Sequence, residues 1–237
     1  MRDYWNDIEA EKSKPYYIEK VSDPKLIGFL RHESNLERCF LDGLDFAKKL
    51  GNGIGGNVLD VGAGVAWTSA LMSRISSVQK VIAIDYSTHR LLNIAPLVFE
   101  QLQGDRSKFD IVVDDFLRFE CEENQFDVII FCQALYMFKD LDKVMYKIRK
   151  LLKQSAVLIV ACERITKTYS IFSPKYYLRN LRYLISSRAD DSGNNFYDDV
   201  EYKTAINNCG LKYCFQLLDY PLHPGGSLMA GNHFGVK

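Results

Sequence analysis

Apolar runs and stretches of helical period alternate along most of this chain. Short apolar runs at 57–61, 80–84, 109–113, 126–132 and 155–162 read as strands, with amphipathic stretches near 67–75, 87–103 and 140–153 between them. Such alternation implies parallel strands joined by crossover helices. The pattern therefore predicts an α/β protein, doubly wound, with helices on both faces of a mostly parallel sheet. Ahead of the first strand, Leu36, Phe40, Leu44 and Ala47 recur at three- and four-residue steps and predict a helix over 35–50. Ser34 is its expected N-cap, with Glu37 completing a capping box. A further helix is expected over 198–208, closed by Gly210, and two final strands over 211–218 and 226–236.

Between the fifth strand and that last helix the pattern lapses. Residues 164–195 are rich in Tyr, Lys, Arg and Ser around Pro174. An excursion after a strand's carboxyl end lies on the rim where open α/β sheets bind ligands, so it is expected to be a lid. The expected division is a helical N-terminal cap over 1–50 and an α/β domain over 51–237, with the lid inserted at about 164–197. Tyr4, Trp5, Tyr16 and Tyr17 in the cap, and Tyr176, Tyr177 and Tyr183 in the lid, are candidates to cover a ligand. Amphipathic packing is the other reading of each.

The first predicted strand feeds Asp60, Gly62, Ala63 and Gly64, and the second ends on Asp85. A glycine pair after a strand lets backbone approach a nucleotide-like ligand, and an acidic group about 20 residues further on is where a ribose diol is held. The third glycine of a dinucleotide fingerprint is missing: Trp67 stands where Gly or Ala would pack helix on strand. That disfavours a pyrophosphate cradle, and with it a nicotinamide-dependent oxidoreductase. A nucleoside without phosphates is expected instead. The glycine run at 51–56 precedes a strand instead of following one, and reads as a connector.

Four stretches, in order, resemble the motifs of the class I S-adenosylmethionine-dependent methyltransferases. Val58 to Gly64 resembles the first motif, and Val81 to Tyr86 the second. Val112-Val113-Asp114-Asp115-Phe116 is similar to the third, with Asp114 where glycine is common, and Phe126 to Cys132 matches the fourth strand. The resemblance implies a seven-stranded Rossmann-like sheet with the last strand antiparallel. It also implies S-adenosylmethionine as cofactor, S-adenosylhomocysteine as product, and methylation of a small-molecule acceptor, at oxygen or nitrogen first. By the same resemblance, Gly62, Ala63 and Gly64 receive the methionine portion and ribose, and Asp60 orients that turn from below. Asp85 accepts from both ribose hydroxyls and Asp115 from the adenine amino group, Tyr86 and Phe116 cover the ring, and Gln133 touches the methionine end.

The residues themselves leave other readings open. Asp60 also suits a turn, Asp85 a helix cap, Asp114 a solvated neighbour, and Tyr86 and Phe116 a core. Trp67 suits core packing or a pocket wall. Arg31 suits a clamp on the methionine carboxylate or a solvated surface group. Tyr136 and Met137 suit an acceptor pocket or core. A general base is needed only for a poor nucleophile; His223 ranks first of four histidines, with a structural histidine as the alternative. The competing function is a module that binds the same cofactor without turnover.

Composition narrows the partners. The chain has 237 residues, 47% of them hydrophobic, with 30 basic and 30 acidic side chains. Zero formal charge gives no footprint for nucleic acid, and the length suits one large α/β domain. No run of about 18 apolar residues predicts a membrane span, and the polar start resembles no signal peptide. Six cysteines without a Cys-x-x-Cys pair predict reduced thiols in a cytoplasmic protein and no metal site. Gly62→Val is expected to abolish binding of an adenosyl compound, which calorimetry with S-adenosylhomocysteine measures.

Overall fold

The computed structural model describes residues 7–51, 53–164, 197–224 and 229–237. The predicted lid, with Tyr176, Tyr177 and Tyr183, and the cap residues Tyr4 and Trp5 lie outside the described residues.

Seven strands form one sheet: β1 (Gly56–Val61), β2 (Val78–Asp85), β3 (Phe109–Val113), β4 (Phe126–Cys132), β5 (Leu152–Arg164), β6 (Lys212–Pro221) and β7 (Met229–Val236). Their order is β3-β2-β1-β4-β5-β7-β6. The first five are mutually parallel, and β7 runs antiparallel to both β5 and β6. This is the expected doubly wound sheet with its last strand reversed. The chain leaves β3 at the sheet edge and re-enters at β4 on the far side of β1. A crevice opens at such a switch point, outside the carboxyl ends of the strands. Pairing of Val61 with Ile84 and Phe131 brings the ends of β1, β2 and β4 to one level.

Strand residues alternate between two cores, because successive side chains leave a strand on opposite faces. Val58, Val81, Ala83, Val128, Ile130, Val157 and Ile159 face one core. It is completed by α3 (Leu36–Lys49), α4 (Trp67–Ser73) and α5 (Ala95–Gln101). Leu59, Ile84, Ile129, Phe131, Leu158 and Val160 face the other, under α6 (Leu141–Leu151) and α7 (Asp199–Asn208). Covered on both faces, the central strands are continuous apolar runs, which is why they were legible as such. The N-terminal segment adds two short helices, α1 (Ile8–Lys12) and α2 (Lys25–Gly28). Its Tyr17, Ile18, Leu26 and Leu30 join the first core.

Two local expectations fail for definable reasons. The capping box at Ser34 does not form. The chain enters α3 through a π turn at Phe29–Glu33, so the Ser34 hydroxyl closes that turn by donating to the Phe29 carbonyl at 2.7 Å. Asn35 takes the cap position without a side-chain bond to the helix, its Nδ2 donating instead to the Pro221 carbonyl at 2.7 Å, and Glu37 is held by Arg31. The helix expected over 87–103 is divided into a π turn (Arg90–Ile94) and α5, with Pro96 in the first turn of α5. Proline has no N–H to return to the preceding turn, and the hydrogen-bond register slips there. By contrast α7 carries a full capping box between Asp198 and Glu201.

Asn232 ties the reversed strand to the rest. Buried in β7, it donates to the Cys39 carbonyl at 3.1 Å and to Gln216 Oε1 at 2.9 Å. Its own Oδ1 accepts the Cys162 amide at 2.9 Å. One side chain thus joins α3, β5, β6 and β7. Asn232→Leu should lower stability by about 1–3 kcal/mol through the buried groups it strands, read as a shift in the urea midpoint.

Candidate active site

The turn after β1 is built from backbone that side chains rarely allow. Gly62 and Gly64 have φ of 67° and 56°, and Ala66, just before α4, has 58°. A Cβ on Gly62 would lie 2.7 Å from the Ala134 Cβ, so glycine is demanded there by space as well as by backbone. The amides of Gly62 and Ala63 donate to the Ile84 carbonyl at 2.9 and 3.2 Å. The Gly64 amide donates to Asp85 Oδ2 at 2.9 Å, while Asp85 Oδ1 accepts the Ser87 amide at 2.8 Å. Asp85 therefore joins the loops after β1 and β2; the helix-cap role falls to Ser87, whose hydroxyl accepts the Arg90 amide at 3.4 Å. Burial raises its carboxyl pKa, against the two amides and the nearby Arg90 charge.

Asp60 lies beneath the turn. On the first-core face of β1 it meets α4, where Thr68 and Ser69 hydroxyls each donate to its Oδ2 at 2.6 Å. It is 1% exposed, and burial lifts its pKa to about 6 in spite of those hydroxyls.

Two cavities meet above these groups, sharing Gly62, Asp85 and Met137. The larger, about 380 Å³, is walled by Ile84, Tyr86, Asp115, Phe116, Leu117 and Phe138. Asp114 also reaches it, although the carboxylate takes the Asp115 amide at 2.7 Å. Asp115 Oδ1 is engaged by the Leu117 amide at 2.9 Å. Phe116 serves both readings. It lines the cavity and stands edge-on to Phe131 and Phe138, with ring centroids 5.7 and 6.0 Å away. The smaller cavity, about 150 Å³, is bounded by Ala63, Gly64, Trp67, Cys132, Gln133 and Tyr136, with Tyr16 and Arg90 completing it. Gln133 has φ of 52° and anchors its amide on the Ala161 carbonyl at 3.1 Å. Trp67 is a pocket wall that also packs edge-on against Phe40 at 5.4 Å.

Of the residues singled out from sequence, Gly62, Ala63, Gly64, Asp85, Tyr86, Asp115, Phe116 and Gln133 come together around the two cavities, and Asp60 braces them from below. His223 follows β6 and packs on Phe29 with ring centroids 6.4 Å apart. None of the four histidines lines either cavity. Arg31 is exposed, paired with Glu37, and lines neither cavity. The 51–56 glycine run enters β1 at the opposite end of the sheet. Arg90 and Glu11 went unread. A charge in the apolar stripe Arg90, Ile94, Val98 was the available sign for the first. Glu11, in a helix of five residues, gave none.

Residues 59–160, from β1 to β5, match the family model described as a methyltransferase domain. A highly reducing polyketide synthase of Cordyceps militaris is 28% identical over 156 residues, 62% of this chain and 6% of that protein. The sterol 24-C-methyltransferase of Saccharomyces cerevisiae is 28% identical over 166 residues, 70% of this chain and 42% of that enzyme. The chain thus spans less than half the length of these curated relatives. A Haemonchus contortus phosphoethanolamine N-methyltransferase 2, solved with S-adenosyl-L-methionine, superposes with a TM-score of 0.62 at 14% identity, covering 99% of this chain and 59% of that one. The resemblance read from the sequence, to S-adenosylmethionine-dependent methyltransferases of Rossmann-like fold, is borne out.

The raised Asp60 pKa carries a sign. A carboxyl more basic in the fold than in the unfolded chain contributes most below about pH 4, and that contribution fades as pH rises to about 6. Asp60→Asn should therefore gain on the wild type by up to about 3 kcal/mol between those limits, measured by denaturation at pH 4 and pH 7.

Proposed function

We propose that the two joined cavities bind S-adenosylmethionine and that the chain transfers its methyl group to a small-molecule acceptor, at oxygen or nitrogen. The observation carrying this reading is Asp85, whose carboxylate stands where both cavities meet and both loops are tied. The larger cavity, with its aromatic and aliphatic walls, suits a flat base, with Asp115 to accept from an amino group. The smaller one, between the glycine turn and Gln133, suits an aliphatic amino-acid end.

The turn also fits a ligand without phosphates. Anion sites at such turns aim backbone N–H groups at the ligand. Here the amides of Gly62, Ala63 and Gly64 all bond within the protein.

When bound, S-adenosylmethionine supplies a methyl group already activated on a sulfonium. The residues of this chain then have to hold and align. Asp85 fixes the ribose, Asp115 and Phe116 the base, and Gly62, Ala63, Gly64 and Gln133 the methionine end, with Asp60 bracing the turn. Such alignment is worth about 7–11 kcal/mol in well-oriented systems. In this reading the acceptor enters beside Trp67, Tyr136 and Met137. The sterol and phosphoethanolamine enzymes named above act on small molecules by name, which supports an acceptor of that size. All six cysteines are free thiols, which supports a cytoplasmic setting, and no helix of the described residues is long and apolar enough to cross a membrane.

Calorimetry with S-adenosylmethionine, S-adenosylhomocysteine and NAD tests the reading. Asp85→Ala should weaken S-adenosylhomocysteine binding by about 1–3 kcal/mol. Unchanged affinity in a folded variant removes Asp85 from the site, and NAD binding without adenosyl affinity overturns the assignment.

A further inference from the structure

The N-terminal segment reaches the cleft through one buried ion pair. Arg90, 8% exposed, donates through Nε to Glu11 Oε2 at 2.8 Å and through Nη2 to Glu11 Oε1 at 2.6 Å. Glu11, in α1, is 1% exposed and lies 79 residues earlier in the chain. Nη2 also meets the Tyr16 hydroxyl, and the guanidinium lies 5.1 Å from the centre of the Tyr16 ring. The remaining nitrogen, Nη1, faces the glycine turn, 3.9 Å from where a Gly64 Cβ would be. Tyr16, Gly64, Asp85 and Arg90 all bound the smaller cavity.

A buried ion pair is seldom the more stable choice, since apolar residues of like volume do as well or better. What this one adds is placement. Two buried carboxylates, Glu11 and Asp85, share the field of one guanidinium: Arg90 favours the charged form of Asp85, and Glu11 opposes it. Without Arg90, Glu11 would lose the two bonds it accepts from the guanidinium, and Asp85 would keep only the amides of Gly64 and Ser87. Without Glu11, the Arg90 fork would lose its two charge-assisted bonds and the constraint on its position.

We propose that Arg90 is a positioning residue for the glycine turn that Asp85 holds, and that through Glu11 it makes seating of the N-terminal segment and binding of the adenosyl ligand one coupled event. The proposal rests on the reading of the cleft given above. Coupling of this kind is reciprocal: a seated segment favours the ligand by the factor by which the ligand favours seating.

The test uses the full chain with Glu11→Gln, Arg90→Met, Arg90→Lys and the double variant Glu11→Gln/Arg90→Met. Affinity for S-adenosylhomocysteine is read by calorimetry, and hydrogen exchange is followed over residues 8–17 with and without it. The ligand should slow exchange across 8–17 in the wild type. Glu11→Gln should weaken binding about tenfold, within the usual range of coupling between sites, and should reduce that ligand-induced protection. The double variant should bind no more weakly than Arg90→Met alone, because the two residues act as a unit. Arg90→Lys should restore part of the affinity lost in Arg90→Met. A folded Glu11→Gln protein with wild-type affinity and unchanged exchange over 8–17 overturns the coupling and leaves the cleft assignment standing. A wild type that binds no S-adenosylhomocysteine removes both.

Discussion

The carboxylate of Asp85 is the joint on which the ligand-bearing rim depends. One oxygen holds the Gly64 amide and the other the Ser87 amide, so the loops after two neighbouring strands are fixed to each other by a single side chain. The Ile84 carbonyl, one residue earlier, holds two further amides of the glycine turn. Glycine takes the left-handed backbone at 62 and 64 without strain; the strained residue is Ala66, whose amide donates to the Ala63 carbonyl at 2.8 Å, while the four bonds hold the turn that leads to it. The cost is a carboxylate taken out of water, offset by amides and by the charge of Arg90, five residues further on.

The sheet supplies that joint with its location. Because the chain passes from β3 at the edge to β4 beyond β1, the helices following the strands on either side of β1 leave on opposite faces, and the strand ends are left uncovered. Alternation along β1 then divides the labour. Leu59 and Val61 enter one core, while Val58 and Asp60 turn to the other, where Asp60 finds the hydroxyls of α4. A carboxyl is thereby placed under a turn that carries no side chain able to steady it from above.

Most of this was legible in the chain because the central strands are covered on both sides. Runs such as Val128 to Phe131 have no polar face to preserve, and their carboxyl ends mark the rim directly. Ends of elements were less legible. β5 begins at Leu152 and not at 155, since Leu152 already pairs with Phe126 as α6 stops at Leu151. Ser34 carried a capping signal that a π turn diverted, and nothing local announced that turn. Arg31 and Arg90 are alike as letters. One is satisfied by Glu37 six positions away and faces solvent; the other is buried by a partner 79 positions away. Only the folded chain distinguishes them, because the pairing is set by which elements the sheet brings together. For the same reason Tyr16 could be named as a candidate cover, while the ion pair beneath it could not.

The occupied amides of the glycine turn bear on selectivity. A protein that repels phosphorylated adenosine compounds with negative charge also penalises any acidic ligand that it needs. This turn requires no such repulsion. If the cleft takes the proposed adenosyl ligand, a diphosphate arriving there would surrender its hydration and meet the amides of Gly62, Ala63 and Gly64 with their acceptors already in place, so its rejection would follow from unreplaced solvation, and an amino-acid carboxylate nearby would suffer no electrostatic penalty.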